Sequence, residues 1–544
     1  MAGLAATFGS GAMTNNIEDF GNAKCFLAIG TNTTEAHPVL AMKVRQTIAK
    51  GAKLIVANPM RIDLVRDADL WLQHKSGTDV ALLMGMMKVI VDEGLHDVDF
   101  IEQRCENYEE FWDSLQNYPL DRVAEITGLP AEKIAEAARM YAENSPSTIM
   151  YAMGITQHTR GTDNVIATAN LAMLTGNVGK PGTGVNPLRG QNNVQGACDM
   201  AGLPDVYPGY QRVSDENARR KFEEEWGTAL NPEPGLRLTE MIPAALAGKI
   251  KALYLVGENP LLTDADGKHV RQAFENLDFF VVQDIFMTET AELADVILPA
   301  TTFAEENGTY TNTERRVQRL RKAVEPPGNA MPNWWIPARI ALRMGVKGFG
   351  YESASNVADE MARVTPSYGG ISYQRLEEGG LQWPCATEDH PGTCILHEDM
   401  FSRGKGQFVP LEFQPPAEIP DADYPFVLTT GRRLFHFHST VTRKVKGLNS
   451  LMKEELVHVN PKDAERLNIE DGEMIKVSSR QGEVTANALV IDDVPEGVVA
   501  MSFHFAESPT NQLTSADPAT LDPVSKTPAY KTCPVKIEKL TVPA

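Results

Sequence analysis

The chain has 544 residues, of which 42% are hydrophobic and 23% are charged. This composition is ordinary for a globular protein and excludes a disordered, collagen-like or coiled-coil chain, and the length predicts about three to four domains. A net charge of −21 disfavours nucleic acid and anionic membrane as partners, and no apolar run approaches the roughly 18 residues of a membrane helix, so we expect no membrane insertion.

The six cysteines are scattered along the chain without a Cys-x-x-Cys pair. This pattern favours reduced thiols over a disulfide framework and argues against an iron–sulfur or zinc site built from these cysteines. The first residues lack the basic segment of a signal peptide and the twin arginine of a Tat signal. We therefore expect a cytoplasmic protein.

The first 190 residues alternate short apolar runs with helical patterns. Residues 24–30 and 53–57 are predicted buried strands, and a helix over 39–49 joins them into a βαβ unit with a parallel sheet. Further elements predicted here are a helix that opens at Asp79, a largely helical stretch over 121–144 whose second part begins near Pro130, and a strand over 148–153.

A second unit of similar build follows, with strands over 252–256 and 279–282 and a helix over 269–275. The sequence Gly30-Thr-Asn32 after the first strand has a counterpart in Gly257-Glu-Asn259. The two units therefore predict an internal repeat of Rossmann-like halves.

The last part of the chain has a different residue pattern. Residues 352–414 are predicted to be an irregular connector. From residue 424 onward, short alternating strands with tight turns predict a small β-barrel; the strands are 426–430, 474–478, 482–486 and 498–502.

The Gly-x-Asn sequences fit the carboxyl ends of parallel strands, where ligands bind in doubly wound sheets. A glycine lets the backbone approach a ligand, and a short amide can contact a nucleotide. A tight turn capped by asparagine is the alternative. Because the pattern occurs twice, it predicts two nucleotide sites, and the absence of a G-x-G-x-x-G or Walker A sequence disfavours NAD and ATP.

The densest polar segment, residues 184–200, contains Arg189 among four carboxamides in addition to Asn186. A planar, permanently charged guanidinium is suited to binding a carboxylate. The alternative is a polar loop that binds a structural anion. Cys198 in this segment could be a nucleophile, but a single small cysteine is more often inert packing.

His436 and His438 share one face if their segment is a strand. A metal pair is one interpretation, but no third ligand is evident nearby. Contact with a phosphate or a heterocycle is favoured, and a solvated face is the third alternative.

Five segments together resemble the major (alpha) subunit of formate dehydrogenase, in the dimethyl-sulfoxide-reductase family of molybdopterin oxidoreductases. They are residues 173–181 (MLTGNVGKP), 184–210, 282–288 (VQDIFMT), 294–299 (ADVILP) and 525–531 (SKTPAYK). The resemblance runs through nearly the whole chain and implies an α/β fold with two Rossmann-like molybdopterin-dinucleotide-binding domains and a C-terminal β-barrel domain. The implied domains are 1–190, the incomplete second half 191–303, a connector with a remnant of the cluster-side domain over 304–414, and the barrel over 415–544.

The resemblance implies oxidation of formate to CO₂, or the reverse, at molybdenum or tungsten held by two molybdopterin guanine dinucleotides, with Arg189 binding the carboxylate. Electrons would pass to iron–sulfur or diaphorase partner subunits. The residues implied to bind one guanosine end are Gly30, Asn32, Asn58, Arg61 and Asp79, and those for the other end are Gly257, Asn259, Gln283, Asp284 and Asp295. Pterin contacts fall on Gly154, Gln157 and Gln191, and the contacts from the barrel fall on Thr430, Gly431, Arg432, His436, His438 and Asn511.

The sequence departs from the family pattern in two places. Asn58-Pro-Met-Arg61 stands where the family often has Asp-Pro-Arg, which leaves the guanine contact of Asn58 open. The family's four [4Fe–4S] cysteines and its metal-binding selenocysteine or cysteine are not in this sequence. We expect Met1 to be an alternative or artefactual start, the native protein to extend upstream, and the chain alone to be inactive. The competing hypotheses are a non-catalytic molybdopterin-binding or scaffold subunit, and a molybdoenzyme for nitrate or another oxyanion.

Overall fold

A computed structural model describes residues 1–437 and 441–540. The chain divides into two compact units. Unit 1 comprises Met1–Leu188, Leu262–Lys268 and Ile395–Ala544, and unit 2 comprises Arg189–Leu261 and His269–Cys394. The division into four domains expected from the sequence stays a prediction.

The strands are β1 (Cys25–Ile29), β2 (Lys53–Ala57), β3 (Leu70–Leu72), β4 (Cys105–Glu106), β5 (Ser147–Tyr151), β6 (Gly184–Pro187), β7 (Val206–Tyr207), β8 (Gln211–Arg212), β9 (Ala252–Val256), β10 (Phe279–Asp284), β11 (Val296–Pro299), β12 (Gly308–Thr311), β13 (Arg316–Leu320), β14 (Leu381–Gln382), β15 (Gly406–Gln407), β16 (Phe426–Thr430), β17 (Leu456–Val459), β18 (Met474–Ser478), β19 (Glu483–Val490), β20 (Val498–Met501) and β21 (Cys533–Lys539).

The α-helices are α1 (Ala2–Phe8), α2 (Thr33–Ala36), α3 (Pro38–Ile48), α4 (Asp79–Asp92), α5 (Val98–Arg104), α6 (Tyr108–Leu115), α7 (Leu120–Thr127), α8 (Ala131–Glu143), α9 (Met153–Thr156), α10 (Gly161–Leu174), α11 (Val194–Asp199), α12 (Glu216–Trp226), α13 (Leu238–Leu246), α14 (Pro260–Thr263), α15 (Gly267–Glu275), α16 (Trp335–Arg343), α17 (Ala354–Val364), α18 (Tyr373–Glu377), α19 (Lys446–Leu451) and α20 (Pro461–Leu467). Short 3₁₀ turns lie at Glu18–Asn22, Asp63–Asp67, Ala291–Leu293, Pro366–Tyr368, Val441–Lys444 and Thr510–Gln512.

Unit 1 contains a parallel five-stranded sheet in the order β3-β2-β1-β5-β6. Every residue of the central strand β1 is buried, because helices cover both faces of the sheet, as expected for parallel strands. The order reverses between β1 and β5, and such a reversal marks the place where ligands bind in open α/β sheets. The predicted βαβ unit is confirmed, and the stretch 121–144 forms α7 and α8, separated at Gly128 and Pro130.

Unit 1 also contains a closed barrel in the order β16-β20-β17-β19-β18-β21, which confirms the barrel predicted from the sequence. Its interior is filled by alternating apolar side chains, among them Leu428, Val457, Ile475 and Val535. Parallel and antiparallel pairings coexist in it, since β16 runs parallel to β20 and antiparallel to β21.

Unit 2 contains a parallel sheet in the order β11-β10-β9 and an antiparallel sheet in the order β12-β13-β14. Residues of α15 pack on the parallel sheet through Val270, Ala273 and Phe274. The expectation of an irregular connector over 352–414 was wrong in part, since α17 and α18 lie there. Ser353 and Asn356 form a capping box that starts α17, a local signal visible in the sequence.

Within the two described ranges, no helix combines the length and the apolar character needed to cross a membrane.

Candidate functional site

Two glycines bring the loops after β1 and β5 together at the backbone. Gly30 has a φ of 57°, and a Cβ there would lie 2.6 Å from the Ile155 nitrogen. A Cβ on Gly154 would collide with the Gly30 carbonyl, which accepts a hydrogen bond from Gly154 N–H at 2.9 Å. Only glycine fits at either position. The structure therefore joins two residues expected to bind the cofactor, at the point where the strand order reverses.

Asn32 lies two residues after Gly30 and immediately precedes α2. Its Oδ1 atom is buried and has no hydrogen-bond partner within the described residues. Leaving a buried acceptor unsatisfied is costly. A ligand with hydrogen-bond donors, such as a purine or a ribose, would satisfy it.

Asn58 and Arg61 follow β2. Asn58 Oδ1 accepts a hydrogen bond from Met60 N–H at 2.9 Å, so this oxygen stabilises its own turn. Arg61 is half exposed and contacts the barrel through Asp492 at 3.1 Å. These contacts fix the end of the strand, and a role in binding a ligand stays a prediction for both residues.

Asp79 lies between two histidines that the sequence analysis did not single out. It is 2% exposed; its Oδ1 is 3.0 Å from His74 Nε2, and its Oδ2 is 4.0 Å from His158 Nε2. Burial alone would raise the pKa of Asp79, but the charge and the hydrogen bond of His74 outweigh burial and lower it. Burial lowers the pKa of His158, whereas Asp79 raises the pKa of His74 in spite of its burial. The geometry therefore favours an ionised Asp79 bonded to His74.

Lys531 connects two other residues expected to bind the cofactor. Its backbone N–H donates to the Gln157 carbonyl at 3.3 Å, and its ammonium donates to the carbonyl and the hydroxyl of Thr430. Burial lowers the pKa of Lys531 to about 8. No local motif gives Lys531 a role, because its partners come from distant parts of the chain. A half-buried ammonium held by neutral oxygens is suited to a phosphate.

The loop after β16 carries the remaining residues predicted in the barrel. Arg432 Nε is buried without a hydrogen-bond partner in the described part of the chain, and a Cβ on Gly431 would meet open space. His436 is wholly buried, stacks on His504 with ring centroids 4.1 Å apart, and approaches Met452 O at 2.8 Å. These contacts hold His436 in place, and its contact with the cofactor stays a prediction. His438 lies outside the described residues.

Asn511 is buried and donates a hydrogen bond to Leu262 O at 2.8 Å. Its amide therefore ties the short segment of residues 262–268 to the rest of unit 1. A contact of Asn511 with the cofactor stays a prediction.

In unit 2, four of the five predicted residues gather at the carboxyl ends of β9 and β10. Gly257 has a φ of 65° and open space where a Cβ would lie. Asn259 Oδ1 accepts from the Thr290 hydroxyl at 2.7 Å, Gln283 Nε2 donates to Asn333 Oδ1 at 3.0 Å, and Asp284 Oδ1 accepts from Phe286 N–H at 2.9 Å. Burial raises the pKa of Asp284.

Asp295 does not join these four residues. It precedes β11 at the amino end of the sheet, where its Oδ2 accepts from Phe280 N–H at 2.7 Å. A parallel sheet separates its two ends by about 3.3 Å per residue. The structure thus gives no support to the expectation that Asp295 binds a guanosine together with Gln283 and Asp284.

Arg189 lies in the polar loop before α11. Its backbone N–H donates to the Thr313 hydroxyl at 3.0 Å. Burial raises the pKa of Cys198, which disfavours a nucleophilic role for this cysteine. Gln191 is half-buried in the same loop. The arrangement presents a partly buried guanidinium on an anchored backbone, and this guanidinium can bind a carboxylate.

The residues that the structure describes fit a pterin nucleotide cofactor. Unit 1 offers hydrogen-bond donors, a hydrogen-bond acceptor and positive charge to such a cofactor. They come from the paired glycines, the Asn32 oxygen, the Arg432 Nε and the Lys531 ammonium. In unit 2, Gly257 opens space beside polar strand ends. No group of three or more His, Cys, Asp or Glu residues able to hold a metal ion lies within the described ranges.

Comparisons with known proteins agree with this fit. Residues 3–343 match the family model for molybdopterin oxidoreductase, and residues 426–534, which include most of the barrel, match the model for the molybdopterin dinucleotide binding domain. The chain is 50% identical to the F420-dependent formate dehydrogenase subunit alpha of Methanocaldococcus jannaschii, over 99% of this chain and 80% of that protein. It is 40% identical to formate dehydrogenase H of Escherichia coli, over 99% of this chain and 76% of that protein.

Among solved structures, acetylene hydratase from Pelobacter acetylenicus superposes with a TM-score of 0.78 at 23% identity, over 99% of this chain and 80% of that chain, which shows the fold alone. The chain belongs to the molybdopterin oxidoreductase family. Within this family, its sequence groups with the formate dehydrogenase alpha subunits, as the motifs in the sequence predicted.

Proposed function

We propose that this protein is the catalytic subunit of a formate dehydrogenase, which converts formate to CO₂, two electrons and one proton. The observation that carries the proposal is Arg189, a partly buried arginine whose backbone is anchored by the Thr313 hydroxyl, in a chain 40–50% identical to formate dehydrogenases. When bound, a bis-molybdopterin guanine dinucleotide with molybdenum or tungsten supplies the centre that takes up the two electrons.

Arg189 binds and orients the substrate. Its two terminal nitrogens match the two oxygens of a carboxylate. Formate has no other polar group, so this contact alone determines the direction of its C–H bond. The same contact favours a carboxylate over an uncharged substrate.

The cofactor is held through the strand ends. In unit 1, Gly30 and Gly154 admit the backbone close to the ligand, Asn32 accepts a hydrogen bond, and Lys531 and Arg432 balance phosphate charge. In unit 2, Gly257, Asn259, Gln283 and Asp284 bind the second dinucleotide. Both parallel sheets act as Rossmann-like halves in this proposal, and a cytoplasmic iron–sulfur or diaphorase subunit accepts the electrons.

The test is formate-dependent reduction of benzyl viologen by the cofactor-loaded protein, purified together with its native partner subunits. Replacing Arg189 by Ala removes a charge-assisted contact worth about 1.5–3 kcal/mol, so kcat/KM for formate should fall by roughly tenfold to a hundredfold. Arg220→Ala, on an exposed helix in the same unit, is the matched control and should behave as the wild type. Cofactor binding without any formate turnover would instead establish a scaffold subunit.

A further inference from the structure

A buried carboxylate in unit 2 lies next to the substrate loop and has no part in the mechanism so far. Asp199, at the end of α11, is 1% exposed and accepts four side-chain hydrogen bonds. Its Oδ1 accepts from Gln195 Nε2 and from the Tyr210 hydroxyl, both at 2.7 Å. Its Oδ2 accepts from the Tyr368 hydroxyl at 2.6 Å and from Trp383 Nε1 at 2.7 Å.

These bonds connect the loop of Arg189 to the β12–β14 sheet. The Tyr368 hydroxyl also contacts the Thr311 hydroxyl at 3.0 Å, and Thr311 N–H donates to Asn193 Oδ1 at 2.8 Å. Arg315 holds Trp383, one of the donors to Asp199. It is wholly buried, donates to Thr393 O at 2.9 Å, and packs over the Trp383 ring.

Three residues on either side of α11 have backbone conformations that they rarely adopt. Asn193, Ala201 and Tyr210 have φ angles of 61°, 67° and 60°. Left-handed backbone at alanine and tyrosine is strained and persists only where the surroundings enforce it. For Tyr210, the bond from its hydroxyl to Asp199 supplies part of this enforcement.

Arg189 lies in the loop that leads into this cluster. Its backbone N–H donates to the Thr313 hydroxyl at 3.0 Å, and Thr311, two residues earlier in the chain, donates its N–H to Asn193 Oδ1 at 2.8 Å, so the strand region next to Asp199 holds both ends of the loop over 189–193. Asp199 itself has both oxygens engaged and is buried, so it cannot touch a substrate.

We propose that Asp199 is a positioning residue for formate binding: by holding Tyr210 and α11 in place, it fixes the guanidinium of Arg189 in the orientation that receives the carboxylate. This role deepens the proposed function and rests on it for the identity of the substrate. The fixed geometry of Arg189 is a property of the chain and can be measured separately.

The test compares Asp199→Asn with Glu360→Gln, a matched control. Glu360, also in unit 2, likewise accepts from a tryptophan and a tyrosine, at 3.0 Å from Trp226 Nε1 and 2.6 Å from the Tyr351 hydroxyl, but on α17. The first readout is the rate at which phenylglyoxal modifies Arg189 in the purified protein, followed by peptide mass spectrometry. We expect modification several-fold faster in Asp199→Asn and unchanged in Glu360→Gln.

The second readout is steady-state kinetics with formate and benzyl viologen. In Asp199→Asn, KM for formate should rise about tenfold, while kcat and cofactor content change little, because a misdirected guanidinium weakens one charge-assisted contact. A general loss of structure would lower kcat and cofactor content together. If Asp199→Asn does not fold, Tyr210→Phe removes one bond to the same carboxylate and should shift both readouts in the same direction.

The positioning role would be overturned if a folded Asp199→Asn or Tyr210→Phe variant kept both the wild-type rate of Arg189 modification and the wild-type KM for formate. If the wild-type holoenzyme does not oxidise formate, the proposed function fails, and the modification rates still decide whether Asp199 fixes Arg189.

Discussion

Asp295 and Asp69 occupy equivalent places in two different parallel sheets. Asp295 precedes β11 and accepts a hydrogen bond from Phe280 N–H of the adjacent strand at 2.7 Å. Asp69 precedes β3 and accepts one from Leu54 N–H of its adjacent strand at 2.9 Å. In both cases the aspartate satisfies a backbone donor where a strand begins. The internal repeat inferred from the glycines thus extends to a structural aspartate in each sheet.

Replacing Asp295 by Ala should therefore lower stability without releasing the cofactor. The lost hydrogen bond is worth about 1 kcal/mol, so we expect a fall of a few degrees at most in the unfolding temperature. Pterin content per protein should remain that of the wild type. Asp284→Ala, at the other end of the sheet, should lower the pterin content and leave the unfolding temperature unchanged. Loss of pterin in Asp295→Ala at unchanged stability would restore the guanosine assignment.

The His74–Asp79 pair predicts a pH-dependent stability. The pKa of His74 is raised in the folded protein. Its bond to Asp79 therefore stabilises most fully below the usual histidine pKa of about 6.5 and is lost as pH rises through the folded value. His74→Gln should be destabilised most at pH about 6 and approach the wild type at alkaline pH. Thermal unfolding of both proteins across pH measures this difference.

His96→Gln is the control for that series, since His96 stacks on Tyr108 in the same unit. The loss of stability in His96→Gln should not show the pH dependence expected for His74→Gln. A His74→Gln deficit that stayed constant across the pH range would argue against a charged pair.

Lys531 should control retention of the anionic cofactor. Because its pKa lies at about 8, the ammonium is charged at neutral pH and loses its proton as pH rises above that value. Lys531→Met should lower the pterin and metal content of the purified protein, and wild-type apoprotein should rebind cofactor less well above pH 8. Lys536→Met, which removes a surface ion pair with Glu538, is the matched control. Full cofactor content in Lys531→Met would show that the lysine has a packing role.

The contact between Gly30 and Gly154 predicts that neither glycine tolerates a side chain. Gly154→Ala places a methyl group against the Gly30 carbonyl, and overpacking of this kind costs about 1–3 kcal/mol. The unfolding temperature and the cofactor content should both fall. Gly447→Ala, where a Cβ meets open space, should be neutral. If Gly154→Ala and Gly447→Ala had the same unfolding temperature and cofactor content, the loops after β1 and β5 would separate readily enough to admit a methyl group.

Patterns confined to a few neighbouring residues were predicted well from the sequence. The strands β1, β2, β9, β16 and β18 lie where their apolar runs placed them, because a buried parallel or barrel strand leaves a local signature. The positions of Gly30 and Gly257 at strand ends follow from the same runs.

Partnerships between distant residues could not be predicted. His158 reaches Asp79, Lys531 reaches Gln157, and Trp383 reaches Asp199 only after the chain has folded. Asp295 illustrates the same limit, since a motif does not show at which end of the sheet an aspartate lies, and its contact with a guanosine stays a prediction. The expected segment upstream of Met1 stays a prediction.

Unit 1 is assembled from three separate stretches of chain, the last of which begins at Ile395. Within it, the Asp522 carboxylate accepts hydrogen bonds from the backbone and the hydroxyl of Thr162 at 2.9 and 2.8 Å. A ribosome therefore has to synthesise the chain as far as Asp522 before this contact can form, whereas unit 2 consists of two stretches separated by only residues 262–268. Such long-range closure is slow to form. Because synthesis runs from the amino terminus, Gly30, Gly154 and Asn32 are made long before Lys531, and we expect the cofactor to load only after unit 1 has closed.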